Sequence, residues 1–332
     1  MESVEIASDN PKASLVIEAK HQTSARPGSV ANRELIEPWI KSMEETAKGR
    51  LKITNYPGDV LTTNKDALEA CATGICDFAR LTNSVVPGKF PLMDLLSSPG
   101  IGITSSEMGG YILMKFFNNH PDLVEKELPG VKFLFGYTIA GMAIGTGKVP
   151  VRRMEDLRGL KLRVGGRGPA EFYKALGATP IMLSDADIFM SMEKGAIDGW
   201  NSSMNAVALL SLQEVTKYYT QTSFFVGPNV TIMNLKLWDS LPSDMQKQIM
   251  SVKGIEWAVE TGRIHDRLIK EDIEKAIKAG GECITLSPEE RARWGKVARS
   301  LWDKEVASLE ARGLPGRALL DEVLQLAEEY GK

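Results

Sequence analysis

Arg163 is the residue whose type and setting most clearly imply chemistry. It interrupts the apolar run Leu160 to Val164, which the pattern predicts as a strand. A glycine-rich turn, Gly165-Gly166-Arg167-Gly168, follows, and then a helix from Pro169. A guanidinium taken out of water is costly unless an anion pairs with it, and its planar fork matches a carboxylate. Arg163 is therefore expected to have an anionic partner, either an internal carboxylate or a ligand. Asp185 has two readings, as the N-cap of a helix over 185–194 or as a carboxylate facing a cleft. In the second, Arg163 and Asp185 would clamp a zwitterion. Trp200, in Ile197-Asp198-Gly199-Trp200, is either a core residue or a flat wall for an aromatic ligand. Lys20 and His21 follow a strand predicted over 14–19, where a parallel sheet opens to its cleft; a ligand contact and a solvated surface role both remain open. Arg167 lies in a glycine-rich loop, but the Lys-Ser/Thr that a phosphate loop needs is missing.

The elements that must position these residues follow a β-α-β-α-β rhythm. Strands are expected over 14–19, 51–56 and 76–81, with helices over 29–48 and 64–72 between them. Gly49 suits the end of the first helix. Such a rhythm implies a parallel sheet covered by helices. Further helices are expected over 105–118, 169–176 and 185–194, and strands over 131–137, 160–164, 197–200 and 230–234. Residues 243–279 form one unbroken helical pattern, too long for one small domain and expected as a spine touching two lobes.

The composition excludes several classes. A net charge of -3 over 332 residues gives no basic footprint for nucleic acid. No apolar run is long enough to span a membrane. Residues 1–11 are polar and acidic, so no signal peptide is expected in the chain as written. With three histidines, each isolated, and three cysteines, no metal-site spacing occurs, and neither a bound metal nor a cofactor is expected. Cys71 and Cys76 are expected as small buried thiols, with a disulfide as the alternative.

Six segments, taken together, resemble the extracytoplasmic substrate-binding proteins of TRAP transporters (the DctP type). They are Lys48-Gly-Arg-Leu-Lys-Ile-Thr-Asn-Tyr-Pro-Gly58, Ala67-Leu-Glu-Ala-Cys-Ala-Thr-Gly-Ile-Cys-Asp77 and Met154-Glu-Asp-Leu-Arg-Gly-Leu-Lys-Leu-Arg-Val164. Ala175-Leu-Gly-Ala-Thr-Pro180, Gly195-Ala-Ile-Asp-Gly199 and Gly227-Pro-Asn-Val230 with Leu237-Trp-Asp-Ser-Leu-Pro242 complete the set. Each is weak alone; their order and spacing carry the resemblance, from about residue 13 to 312. It implies two α/β lobes of periplasmic-binding-protein type, with parallel or mixed sheets, crossing strands and a long helix along both. The lobes would be residues 1–138 with 227–265 and residues 139–226 with 266–332, closing on a ligand between them. Arg163 falls on the family's carboxylate-binding arginine.

The departures from the family narrow the ligand. Sialic-acid binders in the family carry a second arginine where Ala143 stands here, an asparagine where Ser202 stands, and an acidic contact where Thr82 stands. Sialic acid is therefore disfavoured. The Glu-Trp of metal-assisted 2-oxo acid binders is missing after Asp198-Gly199. Asn201, Ser202 and Thr82 join Arg163, Asp185, Trp200 and His21 as expected ligand contacts, with Asn229 as either a ligand contact or a hinge bond.

The resulting expectation is a monomeric periplasmic protein that captures a small organic acid and presents it to the membrane subunits of a TRAP transporter. The acid is a monocarboxylate, aromatic or amino-acid-like. The alternatives are a cleft enzyme with Asp185, Asp187 or Asp198 as general base, and a ligand sensor for a signalling partner. No nucleophile–base motif supports the enzyme.

Overall fold

The computed structural model describes residues 16–86, 88–251 and 254–331. The residues divide into two compact units: those within 1–80, 130–132 and 232–252, and those within 81–129, 133–231 and 253–332. The expectations for residues 1–15 lie outside the described residues.

The smaller unit begins with β1 (Ile17–Thr23), a helical segment ending in α1 (Glu37–Thr46), β2 (Leu51–Pro57), α2 (Ala67–Thr73) and β3 (Phe78–Thr82). β1 pairs in parallel with both β2 and β3, as a β-α-β-α-β chain with helical crossovers requires. β1 starts and ends later than the sequence pattern predicts. Gly74, at the end of α2, has φ of 88° and closes the helix with its N–H on the carbonyls of Ala70 and Cys71. Cys71, Cys76 and Cys283 are free thiols, the first two buried.

The chain then runs through α3 (Pro91–Leu96), α4 (Ser106–Asn119), α5 (Pro121–Glu127) and β4 (Val131–Ile139). β5 (Met142–Thr146), β6 (Lys161–Val164), α6 (Arg167–Ala175), β7 (Thr179–Met182), α7 (Ile188–Glu193) and β8 (Gly199–Ser203) follow. Next come α8 (Asn205–Leu209), β9 (Tyr218–Gln221), β10 (Gly227–Asn234), α9 (Leu235–Ser240) and α10 (Ser243–Ser251). α11 (Gly254–Lys278), β11 (Glu282–Thr285), α12 (Pro288–Glu310) and α13 (Gly316–Tyr330) complete it. The helical pattern over 243–279 is thus α10 and α11, and residues 252 and 253 between them lie outside the described residues. Among the described residues no helix is long and apolar enough to cross a membrane.

One sheet has the order β2-β1-β3-β10-β4, the other β11-β9-β5-β8-β6-β7. The second is mixed: β5 runs antiparallel to β8 and β9, while β6 is parallel to β7 and β8. Its two faces bury different cores. Ile144, Leu162 and Val164 pack with Phe172, Phe225 and Trp294; Ala143, Trp200 and Tyr219 pack with Ile188 and Ile269. The alternation of side chains along a strand produces this split. α4 and α11 approach closely enough that a Cβ on Gly262 would lie 2.4 Å from the Ser106 carbonyl, so only glycine fits there. Asp266 accepts hydrogen bonds from the Ser106 and Glu107 amides (2.8 and 3.1 Å), closing the exposed N-terminus of α4.

Candidate functional site

Arg163 stands on β6 between Leu162 and Val164, which point into one core; the pleat sends Arg163 to the opposite face, beside its register partner Trp200. Because β6 ends at Val164, the guanidinium emerges at the strand's end rather than in the middle of the apolar face. It is 4% exposed. Its Nε donates to the Leu183 carbonyl (2.8 Å) and Nη1 donates to the Asn201 carbonyl (3.1 Å). Nη1 also lies 2.7 Å from Asp185 Oδ1. Burial lowers the basicity of Arg163, and the charges of Asp185 and Asp187 oppose that shift. The internal carboxylate foreseen as one option is therefore present.

Arg163 also lines a cavity of about 680 Å³. Arg163, Asp185, Asn201, Ser202, Thr82 and Asn229 all line it. Asp185 is not a helix cap, which corrects that reading: Ser184 holds the capping position, and Asp185 opens a short 3-10 turn before α7. Its Oδ1 accepts a hydrogen bond from Ser202 Oγ (3.2 Å) as well as facing Arg163. Asn201 is pinned from behind: its Nδ2 donates to the Ala143 carbonyl (3.2 Å) and to Tyr173 Oη (3.0 Å), which holds its backbone carbonyl on Arg163. Thr82 Oγ1 donates to Asn229 Oδ1 (2.8 Å), and Asn229 Nδ2 donates to the Gly227 carbonyl (2.9 Å).

Trp200 and His21 are not among the lining residues. Trp200 is fully buried, lies edge-on to Tyr219 and donates from Nε1 to Thr216 Oγ1 (2.9 Å). Its indole fills the space that Gly145 leaves; a Cβ there would sit 2.1 Å from the ring. The ring is spent on the core, which corrects its reading as a wall. His21 lies inside β1, in register with Asn55 and Phe78, because the strand runs past Ala19. Its Nδ1 lies 2.9 Å from Asn55 Oδ1, and burial pulls its pKa down to about 4.

The apolar lining comes from residues that no local pattern marks: Met142 on β5, Met182 at the end of β7 and Leu183 after it, Phe225 before β10, and Leu301 and Trp302 on α12. The pair Phe224-Phe225, just ahead of Gly227-Pro228, was the one available signal. Asp94 on α3 and Glu305 on α12 also line the cavity, and burial raises both carboxyl groups above the usual range. Arg167 reaches the same lining but is spent on an exposed pair with Glu171 (2.8 Å).

The family described as "Bacterial extracellular solute-binding protein, family 7" matches residues 21–309. The C4-dicarboxylate-binding periplasmic protein DctP of Rhodobacter capsulatus is 26% identical over 279 residues, 79% of this chain and 78% of the relative. A TRAP periplasmic solute-binding protein from Desulfovibrio salexigens, an open complex with the C-terminus of a symmetry mate in its ligand site, superposes with a TM-score of 0.84. It is 28% identical, and the match covers 95% of this chain and 96% of that one. A marine-metagenome TRAP solute-binding protein specific for aromatic acids, in complex with 3-hydroxybenzoate, gives 0.87 at 24% identity, covering 96% and 100%. The fold is thus the two-lobed α/β fold of these receptors. With the family matched over most of its length, the chain belongs to the bacterial extracellular solute-binding proteins of family 7, whose members are transport receptors for small organic acids.

Proposed function

We propose that this protein captures a small monocarboxylic acid with an apolar, aromatic-sized body, holding its carboxylate on Arg163. In this proposal it acts outside the cytoplasm, as a monomer, and hands the acid to the membrane subunits of a TRAP transporter. The observation that carries it is a 4% exposed arginine on a cavity whose lining includes the apolar side chains of Met142, Met182, Leu183, Phe225, Leu301 and Trp302. Apolar walls take up a ligand's body through surface burial, and one convergent charge fixes its orientation. The aromatic-acid complex of the marine-metagenome protein shows what this fold can hold; its likeness to this chain is one of fold, so the ligand class rests on the lining itself. The division into lobes at 138/139, 226/227 and 265/266 belongs to the same proposal, with the lobes closing on the ligand.

Calorimetric titration of benzoate tests the anchor. Arg163→Ala is expected to cost about 2–5 kcal/mol of binding, and Arg163→Lys to restore only part, since a point charge cannot make the fork. Native affinity in Arg163→Ala would remove Arg163 from the site. A companion panel of aliphatic diacids and sugar acids checks the body: tighter binding of those than of benzoate would discard the apolar ligand class.

A further inference from the structure

An arginine side chain has five N–H donors. In Arg163, Nε is used by the Leu183 carbonyl, and Nη1 faces the Asn201 carbonyl and Asp185 Oδ1. Nη2 makes no hydrogen bond to another described residue. Gly165 puts no side chain against the fork: a Cβ there would stand 3.4 Å from Nη2 and 3.7 Å from Nη1. Nη2 is therefore the nitrogen of the fork left for a ligand carboxylate, beside Asp185, which already meets Nη1. Asp185 keeps acceptor capacity towards the cavity, because Arg163 and Ser202 both meet Oδ1 and its side chain is 56% exposed. Two neighbouring carboxylates repel each other unless a hydrogen stands between them. Nη1 and Nη2 share one carbon, so the ligand group that comes to lie against Asp185 is the substituent next to its carboxylate.

Resting on the anchor role of Arg163, we propose that this site selects carboxylic acids carrying a hydrogen-bond donor on the carbon beside the carboxylate, a 2-hydroxy or 2-amino acid with an apolar body, and that Asp185 reads that donor. The carboxylate lies on Nη2 of Arg163, and the 2-hydroxyl or 2-ammonium donates to the Asp185 carboxylate, which Ser202 holds in place. Asp185 then acts as a specificity-determining residue, converting a like-charge clash into a charge-assisted hydrogen bond.

The test compares acids that differ at one atom. Mandelate and phenylacetate differ by the 2-hydroxyl, and phenylglyoxylate has an acceptor there in place of a donor. Calorimetry on the full chain is expected to give mandelate roughly tenfold or more over phenylacetate, the value of a hydrogen bond to a charged group, with phenylglyoxylate no better than phenylacetate. In Asp185→Ala the ratio of mandelate to phenylacetate should fall to near one. In Arg163→Gln both acids should be lost. A ratio near one in the native protein, failure to bind any of the acids included, overturns the proposal; so does a ratio that persists in Asp185→Ala. Native phenylacetate affinity in Arg163→Gln would instead remove the anchor itself. Phenylglycine set against mandelate distinguishes an ammonium donor from a hydroxyl, and preference for either over phenylacetate supports the proposal.

Discussion

His21 on β1 and Arg163 on β6 are both basic side chains buried on parallel strands, 2% and 4% exposed, yet they end in opposite states. Imidazole has a neutral form available. Burial pushes His21 into it, with a pKa near 4, and the ring settles between Asn55 and Trp39, its centroid 5.6 Å from the indole. Guanidinium has no accessible neutral form. Arg163 therefore stays charged and draws carbonyls from Leu183 and Asn201 and the carboxylate of Asp185 around it. A cation that burial can discharge settles as a neutral ring among its neighbours; one that burial cannot discharge gathers acceptors around it and, in the proposal above, a ligand carboxylate as well.

Several experiments break or sharpen that contrast. The largest expected effect is on stability: Trp200→Ala, beside Arg163 in register but enclosed in the core, should cost about 3–5 kcal/mol in denaturant unfolding. A loss of acid affinity with stability intact would put the indole back at the site. The pH dependence of His21 comes next. Its folded pKa lies below the ordinary 6.5, so the folded state binds fewer protons than the unfolded one. The stability it contributes is full above pH 6.5 and is lost as pH falls from there to about 4, by roughly 3 kcal/mol. The stability gap between the native protein and His21→Gln should therefore narrow on acidification; a gap constant with pH would mean the ring is not desolvated.

Gly165→Val should lower benzoate affinity about tenfold, on the order of 1.4 kcal/mol, by placing a side chain against Nη2 where a carboxylate would approach. Unchanged affinity would move the ligand off that side of the fork. Smallest of all, Arg167→Ala should change affinity and stability by about 0.5 kcal/mol or less, because its pair with Glu171 is exposed and spaced i,i+4. A large loss would make Arg167 a second anion contact.

Legibility followed the range of the interactions. β1, α1, β2, α2 and β3 were readable within a few residues because apolar spacing and glycine caps are local. β5, β9 and β11 were not readable: they are four or five residues long, and pairing across the sheet rather than composition makes them strands. The extension of β1 past Ala19 moved His21 from an expected strand end to a strand interior. The sequence marks Asp185 as a residue of consequence, but its direct contact with Arg163, 2.7 Å away and well separated along the chain, is set by the fold.

Residue order alone was enough to establish an α/β chain, a costly arginine at the end of a short strand before a glycine turn, and the family to which those features belong. Those depend on local periodicity and on the unavoidable charge of guanidinium. Only the tertiary structure decided that Trp200 packs inside while Phe225 and Met142 face the cavity, and that Asp185 rather than solvent meets Arg163. Which face a side chain presents, and what stands opposite it, depends on strands and helices distant in sequence whose positions are set by packing the whole core at once.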